Sequence, residues 1–305
     1  MIVRPHQHWF PRLFSWHGAV LQKILFRLSL NLMMAIFAVI CFQWYETLGV
    51  KLTTAPFSLL GVAIAIFLGF RNSASYARFV EARTLWGSLL ITQRSLLRQA
   101  KGALRSDPAA VSEFSALLKA FSWSLKHQLR STDASDDIRR LAPEKWREEV
   151  LASPFRTGRL LLCMGAWLAD QREKGLISDL LYNGMDNNLN ELSHILGGCE
   201  RISTTPIPFA YSLIVHRTVY LFCTLLPFAL VADLHYMTPL VSVFISYTFL
   251  SLESLAEELE DPFGTSANDL PLNAICNHIE RTLCEMNNQH PLPEKLLPDA
   301  RYNLM

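Results

Sequence analysis

The chain has 305 residues and a formal net charge of +1, and half of its residues are hydrophobic. A mean hydropathy of +0.20 is high for a soluble protein and indicates membrane-spanning helices. The near-neutral charge excludes a general attraction to nucleic acid, and no Walker loop, dinucleotide fingerprint or zinc-finger spacing occurs in the sequence.

The chain begins with a segment that mixes aromatic and basic side chains, including Trp9, Phe14, Arg4 and Arg12. It lacks the small-residue cleavage site of a secretory signal peptide. Rings and cations interleaved in this way are typical of a segment at the lipid headgroups. We therefore expect an interfacial segment before the first membrane span.

The first span is predicted over residues 24–45, within an N-terminal region of residues 1–98. About 20 residues, at roughly 1.5 Å each, cross a hydrocarbon core about 30 Å thick. Basic residues precede this span and accumulate after residue 70, so the positive-inside rule places both ends of the hairpin in the cytoplasm.

A long second helix is predicted over residues 56–97, and two rows of residues run along it. Residues four apart share a helix face. One row is small and would let helix backbones approach closely in a bilayer: Gly61, Ala65, Gly69, Ser73 and Ala77. The other row is apolar and consists of Val62, Ile66 and Phe70. If several copies packed around an axis, the apolar row would form a hydrophobic neck; the alternative is an ordinary lipid-facing or core surface.

The polar middle of the chain, residues 99–206, shows helical rather than strand periodicity and is predicted to be a cytoplasmic helical domain. We expect helices over residues 111–129, 143–151, 157–174 and 178–202. Leu176, Ile177, Leu180 and Leu181 form an apolar patch beside Asp179. Core packing at a helix start is the simplest explanation of that patch.

Two further spans are predicted over residues 207–232 and 236–254, which makes four and returns the C-terminus to the cytoplasm. His216 and Arg217 lie in the first third of the third span. Charges there are either functional or, as we favour, paired with an acidic residue or directed to the interface. In the C-terminal segment, residues 255–305, we expect an amphipathic helix over 272–286 and a loose proline-rich tail.

Acidic residues crowd the end of the fourth span: Glu257, Glu258, Glu260 and Asp261 follow Glu253. Hard divalent cations bind oxygen ligands, so these carboxylates are weak candidates for a metal site. The alternative is pairing with the arginines that follow Phe70. The six scattered cysteines are expected to be buried, reduced thiols.

Two long runs resemble the bacterial branch of the bestrophin family. They are G-F-R-N-S-A-S-Y-A-R-F-V-E-A-R-T-L-W-G at residues 69–87 and E-E-L-E-D-P-F-G-T-S-A-N-D-L-P-L at residues 257–272. With the hydropathy pattern, the resemblance extends over residues 4–284. It implies a pentameric ion channel with a second constriction at the cytoplasmic exit, where we place Leu180 with Asp179. Animal bestrophins carry an acidic calcium clasp after Pro-Phe-Gly, whereas residues 265–269 here hold one carboxylate, so calcium activation is not expected.

The sequence therefore predicts an all-α membrane protein with four transmembrane helices per subunit, a cytoplasmic helical domain and oligomerisation around a central pore. We expect a homopentamer in the bacterial inner membrane, in contact with lipid and conducting monovalent ions passively, with both termini cytoplasmic. Asp179 at the exit would favour cations; the alternative is a chloride or anion channel. We expect no cofactor and no catalytic residue. A membrane scaffold or regulator without conduction, or an integral-membrane enzyme, would be the other classes.

Overall fold

The computed structural model describes residues 1–3, 10, 20–47 and 53–304. Within these ranges the regular structure is helical, apart from one isolated antiparallel bridge between Ile2 and Asn303. The α-helices in chain order are α1 (Leu21–Ile40), α2 (Phe42–Thr47), α3 (Thr54–Ala103), α4 (Pro108–Leu129), α5 (Ser135–Leu141), α6 (Glu144–Ala152), α7 (Arg156–Glu173), α8 (Asp179–Thr204), α9 (Phe209–Leu234), α10 (Thr238–Glu260) and α11 (Leu272–Met286).

Two helices cover the first predicted span, residues 24–45, because α1 ends at Ile40 and α2 begins at Phe42. The break lies at Cys41, whose ψ of 2° leaves the helical region. The predicted interfacial segment lies outside the described residues, apart from residues 1–3 and Phe10.

Three segments are long and apolar enough to cross a membrane: Leu21–Ile40, Thr54–Ala103 and Phe209–Glu260. The last of these contains α9 and α10, which are joined by a short 3₁₀ turn at His235–Met237 and contact each other. By their length and hydropathy, these helices are candidate membrane spans.

The chain divides into two compact units. The apolar unit comprises residues 5–79 and 206–262, and the polar unit comprises residues 1–4, 80–205 and 263–305. Helix α3 contributes its first half to the apolar unit and its second half to the polar unit. Each unit has its own buried apolar residues.

The core of the apolar unit is built from α1, α3, α9 and α10. Phe222 of α9 lies at its centre, with its ring centroid 5.3 Å from Phe249 and 6.2 Å from Phe57. The contact with Phe249 is edge-on, and aromatic contacts of this kind stabilise the core beyond the burial of apolar area. The other buried members of this core are Ile24, Leu28, Ile64, Leu68, Val215, Val219, Cys223, Leu226 and Leu250.

In the polar unit, α4 is the central helix and packs against α5, α7, α8 and α11. Its Phe114 stacks on Trp167 of α7 with the ring centroids 4.3 Å apart, and both side chains are fully buried. Gly198 of α8 faces Leu85 so closely that a Cβ at this position would lie 2.9 Å from Leu85 Cδ1. A larger residue at this position would require the Leu85 side chain to move.

Asp107 caps α4, since its carboxylate accepts a hydrogen bond from the Ala110 N–H at 3.0 Å and Pro108 follows it. Asp107→Ala is expected to destabilise the protein by about 1 kcal/mol, because a first-turn N–H loses its partner. Thermal unfolding followed by circular dichroism would measure the change. Asp107→Asn keeps an accepting oxygen and serves as the matched control; equal losses in both variants would contradict a capping role.

The C-terminal tail is anchored, so the expectation of a loose segment was wrong. The Asn277 side chain donates to the Glu294 carbonyl at 2.9 Å and accepts from the Leu296 N–H at 3.3 Å. The Leu304 N–H donates to the Met1 carbonyl at 2.8 Å, which continues the bridge formed by Ile2 and Asn303. A tail without regular structure is thus held by side chains of α11 and by the first residues of the chain, which local periodicity does not reveal.

The cysteines agree with the expected reduced thiols: all six are free, and all but Cys41 are buried. Burial raises the pKa of Cys163 to about 11 and that of Cys199 to about 12, so both are protonated at neutral pH. Burial likewise raises the pKa of Cys276. A thiolate is the reactive form, so these groups are inert packing residues.

Candidate functional site

The predicted neck residues form an exposed row on α3. Val62, Ile66 and Phe70 are 59%, 53% and 64% exposed. Ile64 and Leu68, on the opposite side of the helix, are buried in the core of the apolar unit. The row is therefore a large apolar surface that no other part of the described chain covers. A surface of this kind marks contact with lipid, with another copy or with a dewetted pore.

One residue of this face was missed by the sequence analysis. Leu59 is 76% exposed and lies three residues before Val62, on the same side of α3. The i, i+3, i+7 spacing of Leu59, Val62 and Ile66 is the signal that could have identified it. The apolar face is thus about one helical turn longer than predicted.

The small-residue row behaves differently along its length. Gly61 is half-buried, and a Cβ there would lie 3.5 Å from the Phe222 ring, whereas nothing lies within 4 Å of the Cβ position of Gly69. Ala65, Ser73 and Ala77 are exposed. Residues four apart drift around a helix, so only Gly61 of this row lies against α9, and the later members of the row are exposed in the single chain.

A buried carboxylate joins the four long helices of the apolar unit. Glu253 of α10 is 2% exposed and accepts from His216 Nδ1 of α9 at 2.9 Å. Its oxygens also lie 3.4 Å from Arg71 Nη1 of α3 and 3.5 Å from Arg27 Nη1 of α1. The predicted acidic partner of His216 is thereby confirmed. Arg217 is exposed and forms no ion pair within the described residues.

The acidic residues after Glu253 do not converge on a cation. Glu258 pairs with Lys23 at 2.8 Å, and Glu260 lies 3.6 Å from Arg71. Glu257 and Asp261 are exposed. Within the described residues, no group of three or more His, Cys, Asp or Glu side chains could hold a metal ion. The geometry favours the interpretation that these carboxylates pair with basic side chains.

The predicted exit residues lie at the start of α8 in the polar unit. Ser178 caps the helix by accepting from the Leu181 N–H at 3.4 Å, and Gly175 adopts a φ of +69°, which suits a glycine. This turn buries Ile177 but leaves Leu180 86% exposed. Core packing therefore explains only Ile177.

Asp179, beside Leu180, is not an isolated charge. Its Oδ1 accepts from Arg172 Nε at 2.7 Å, and both side chains are exposed. Arg172 was not identified from the sequence, where it lies seven residues away across the Gly175 turn. The pair brings a cation next to the one carboxylate on which the predicted cation preference rests.

Comparisons with known proteins extend over the whole chain. The family described as "Bacterial/Fungal Bestrophin protein" matches residues 1–285. A protein of Escherichia coli K12 named voltage-dependent anion channel-forming protein YneE is 57% identical over the full length of both chains. A Ralstonia nicotianae protein named as a voltage-dependent anion channel-forming protein is 44% identical over 97% of both.

A crystal structure titled as a bacterial bestrophin homologue from Klebsiella pneumoniae is similar in both sequence and fold. It is 66% identical, covers 88% of this chain and 100% of its own, and superposes with a TM-score of 0.86. At this level of identity and coverage, the similarity extends to the family as well as to the fold.

Proposed function

The chain belongs to the bacterial and fungal bestrophin family, and on that premise we propose that it is the subunit of an ion channel in which several copies surround one conducting pore. The observation that carries the proposal is the uncovered apolar row of Val62, Ile66 and Phe70 on the longest helix of the chain. The number of copies, five, follows from the resemblance to bestrophins.

In this proposal α1, α3, α9 and α10 each cross the membrane, which gives four crossings per subunit. The segment Phe209–Glu260 is too long for one crossing, since about 20 residues suffice. It divides at the turn His235–Met237 into two helices that contact each other. Four crossings place both termini on the same side of a bacterial inner membrane, and the positive-inside rule makes this the cytoplasmic side. The helical polar unit is proposed to lie in the cytoplasm as well.

The proposed mechanism is passive conduction through stacked rings of Val62, Ile66 and Phe70. Apolar rings bind no ion, and they close a pore by excluding water when the passage is narrow. Ala65, Gly69, Ser73 and Ala77 are exposed on the same stretch of α3 and would let neighbouring helices approach closely. A second constriction at Leu180 would act in the same way.

Monovalent cations such as sodium and potassium are the proposed ions, because Asp179 beside Leu180 would lower the energy of a cation there. An anion channel is the second candidate. Two observations favour it: the relatives are named voltage-dependent anion channel-forming proteins, and Arg172 offsets the charge of Asp179.

The test is the current through purified protein in a planar bilayer under a potassium chloride gradient. A channel gives unitary currents, and the sign of the reversal potential distinguishes cation from anion conduction. An intact oligomer that passes no current would refute the channel and support a membrane scaffold or regulator.

Asp179→Asn is expected to shift the reversal potential toward that of an anion-selective pore, because it removes the carboxylate and leaves Arg172 unpaired. Reversal potentials measured under the same salt gradient give the size of the shift. Asp136→Asn removes another exposed, arginine-paired carboxylate, in α5, and should leave the reversal potential unchanged. If Asp179→Asn also leaves the reversal potential unchanged, Asp179 does not set the selectivity.

A further inference from the structure

A polar cavity in the polar unit takes no part in the proposed conduction. Its volume is about 230 Å³, and it is lined by four hydroxyl side chains, Ser124, Thr132, Ser153 and Thr157, together with His127 and Arg156. None of the lining residues is acidic. Its size exceeds that of a single water molecule, about 30 Å³, several-fold. The cavity is large enough for a small polar molecule.

The titratable side chains that line the cavity are a cation, Arg156, and a histidine, His127. Arg156 Nη1 donates to Asp133 Oδ1 at 2.6 Å, but Asp133 is largely exposed and does not line the cavity. A guanidinium has five N–H donors, so this contact leaves most of them available. His127 bonds Thr132 Oγ1 at 2.6 Å through Nδ1, and Asp137 at 2.9 Å through Nε2.

Two buried hydroxyl groups in the cavity wall share one hydrogen bond, which leaves the O–H proton of one of them without an acceptor. Ser124 and Thr157 are 2% and 1% exposed, and their hydroxyl oxygens lie 2.9 Å apart. One hydroxyl donates in this contact and the other accepts. The accepting hydroxyl keeps its own proton, which has no other protein acceptor within the described residues. A buried O–H without an acceptor is costly, so an occupant of the cavity that accepts this bond is favoured.

The backbone adds to the same preference. Helix α7 has 18 residues and begins at Arg156, and its N-cap residue, Phe155, offers no side-chain cap. The free N–H groups of a first turn and the positive end of the helix dipole favour an anion. This contribution reinforces the guanidinium and the buried hydroxyl pair of Ser124 and Thr157.

From these donors we propose that the cavity binds a small phosphate-bearing anion, either inorganic phosphate or a small phosphate monoester. Arg156 would hold two phosphate oxygens, which is the geometry in which guanidinium and phosphate pair best. The hydroxyl pair would donate to a third oxygen. The remaining hydroxyls, Thr132 and Ser153, suit the polar remainder of a monoester. This site does not depend on the proposed channel activity.

Isothermal titration of the purified full-length protein tests the site with inorganic phosphate, glycerol 3-phosphate and succinate at matched ionic strength. We expect both phosphates to bind and succinate to bind at least tenfold more weakly, because a planar carboxylate cannot engage all the donors. Tighter binding of glycerol 3-phosphate identifies a monoester site, and tighter binding of phosphate identifies an inorganic phosphate site. The proposal is overturned if neither phosphate gives a heat of binding, or if succinate binds as tightly as the phosphates.

Variants locate the binding. Arg156→Gln is expected to weaken phosphate binding at least tenfold, whereas Arg159→Gln, which removes an arginine paired with Glu149 outside the cavity, should bind as the wild type does. Thr157→Val keeps the shape of the side chain and removes the hydroxyl, so it provides a second variant should Arg156→Gln not fold. Wild-type affinity in either folded cavity variant would place the phosphate elsewhere and refute the proposal.

Discussion

Replacing Glu253 by leucine is expected to lower the free energy of unfolding by about 3 kcal/mol, because it leaves the buried Arg71 guanidinium without its nearest carboxylate. Loss of one partner of a buried ion pair costs about 3–5 kcal/mol. The low end applies here, since Glu260 still lies 3.6 Å from Arg71. His216 and Arg27 would lose the same acceptor. Thermal unfolding in detergent micelles would measure the loss.

Glu257→Leu is the matched control, because Glu257 lies one turn further along α10 and is exposed. It should change the unfolding temperature little. Glu253→Gln should fall between the two variants, since its amide oxygen still accepts from His216. The double variant Arg71→Met with Glu253→Leu is expected to regain stability relative to Glu253→Leu, because no buried guanidinium then remains unpaired. A single variant Glu253→Leu as stable as Glu257→Leu would contradict the role of Glu253.

The ionic cluster around Glu253 also shows where sequence reasoning ended. Periodicity predicts a helix over residues 272–286, and α11 has those bounds. The same periodicity cannot single out Glu253 from the carboxylates that follow it. The cluster joins four helices that are far apart in the sequence; Arg27 and Glu253, for example, are separated by 226 residues. Only that packing decides which carboxylate is buried.

Neighbouring residues at the start of α8 illustrate a second reason. Ile177 and Leu180 are similar in hydrophobicity and only three residues apart, yet Ile177 is buried and Leu180 is exposed. The difference arises from the turn at Gly175 and from the cap at Ser178, which set the direction in which the helix leaves the core. Hydrophobicity alone indicates an apolar patch, and the backbone decides which of its residues face solvent.

For the neck, the sequence alone predicts which residues share one face of the helix. The spacing of Val62, Ile66 and Phe70 placed them on one face of α3, and the structure leaves that face uncovered. A row of residues on one helix carries no information about how many copies meet at an axis. The number five therefore comes from the resemblance to bestrophins, and conductance measurements test the proposed pore.

Ile66→Ala and Phe70→Ala are each expected to raise the unitary conductance severalfold, because a smaller side chain widens the ring and makes it easier to hydrate. Val62→Phe should lower the conductance for the converse reason. Single-channel currents in a planar bilayer at fixed salt and voltage would measure all three variants. Conductances indistinguishable from that of the wild type would show that this row does not line the pore.

Ile36→Ala is the matched control for Ile66→Ala, since it removes the same atoms from an exposed isoleucine of α1 and should leave the current unchanged. Thermal stability distinguishes a wider pore from a disrupted core. Ile66 and Phe70 are more than half exposed in the single chain, so their truncation creates no cavity in the core of the apolar unit. A larger current without a loss of thermal stability can then be assigned to the width of the pore, because a disrupted core would lower both.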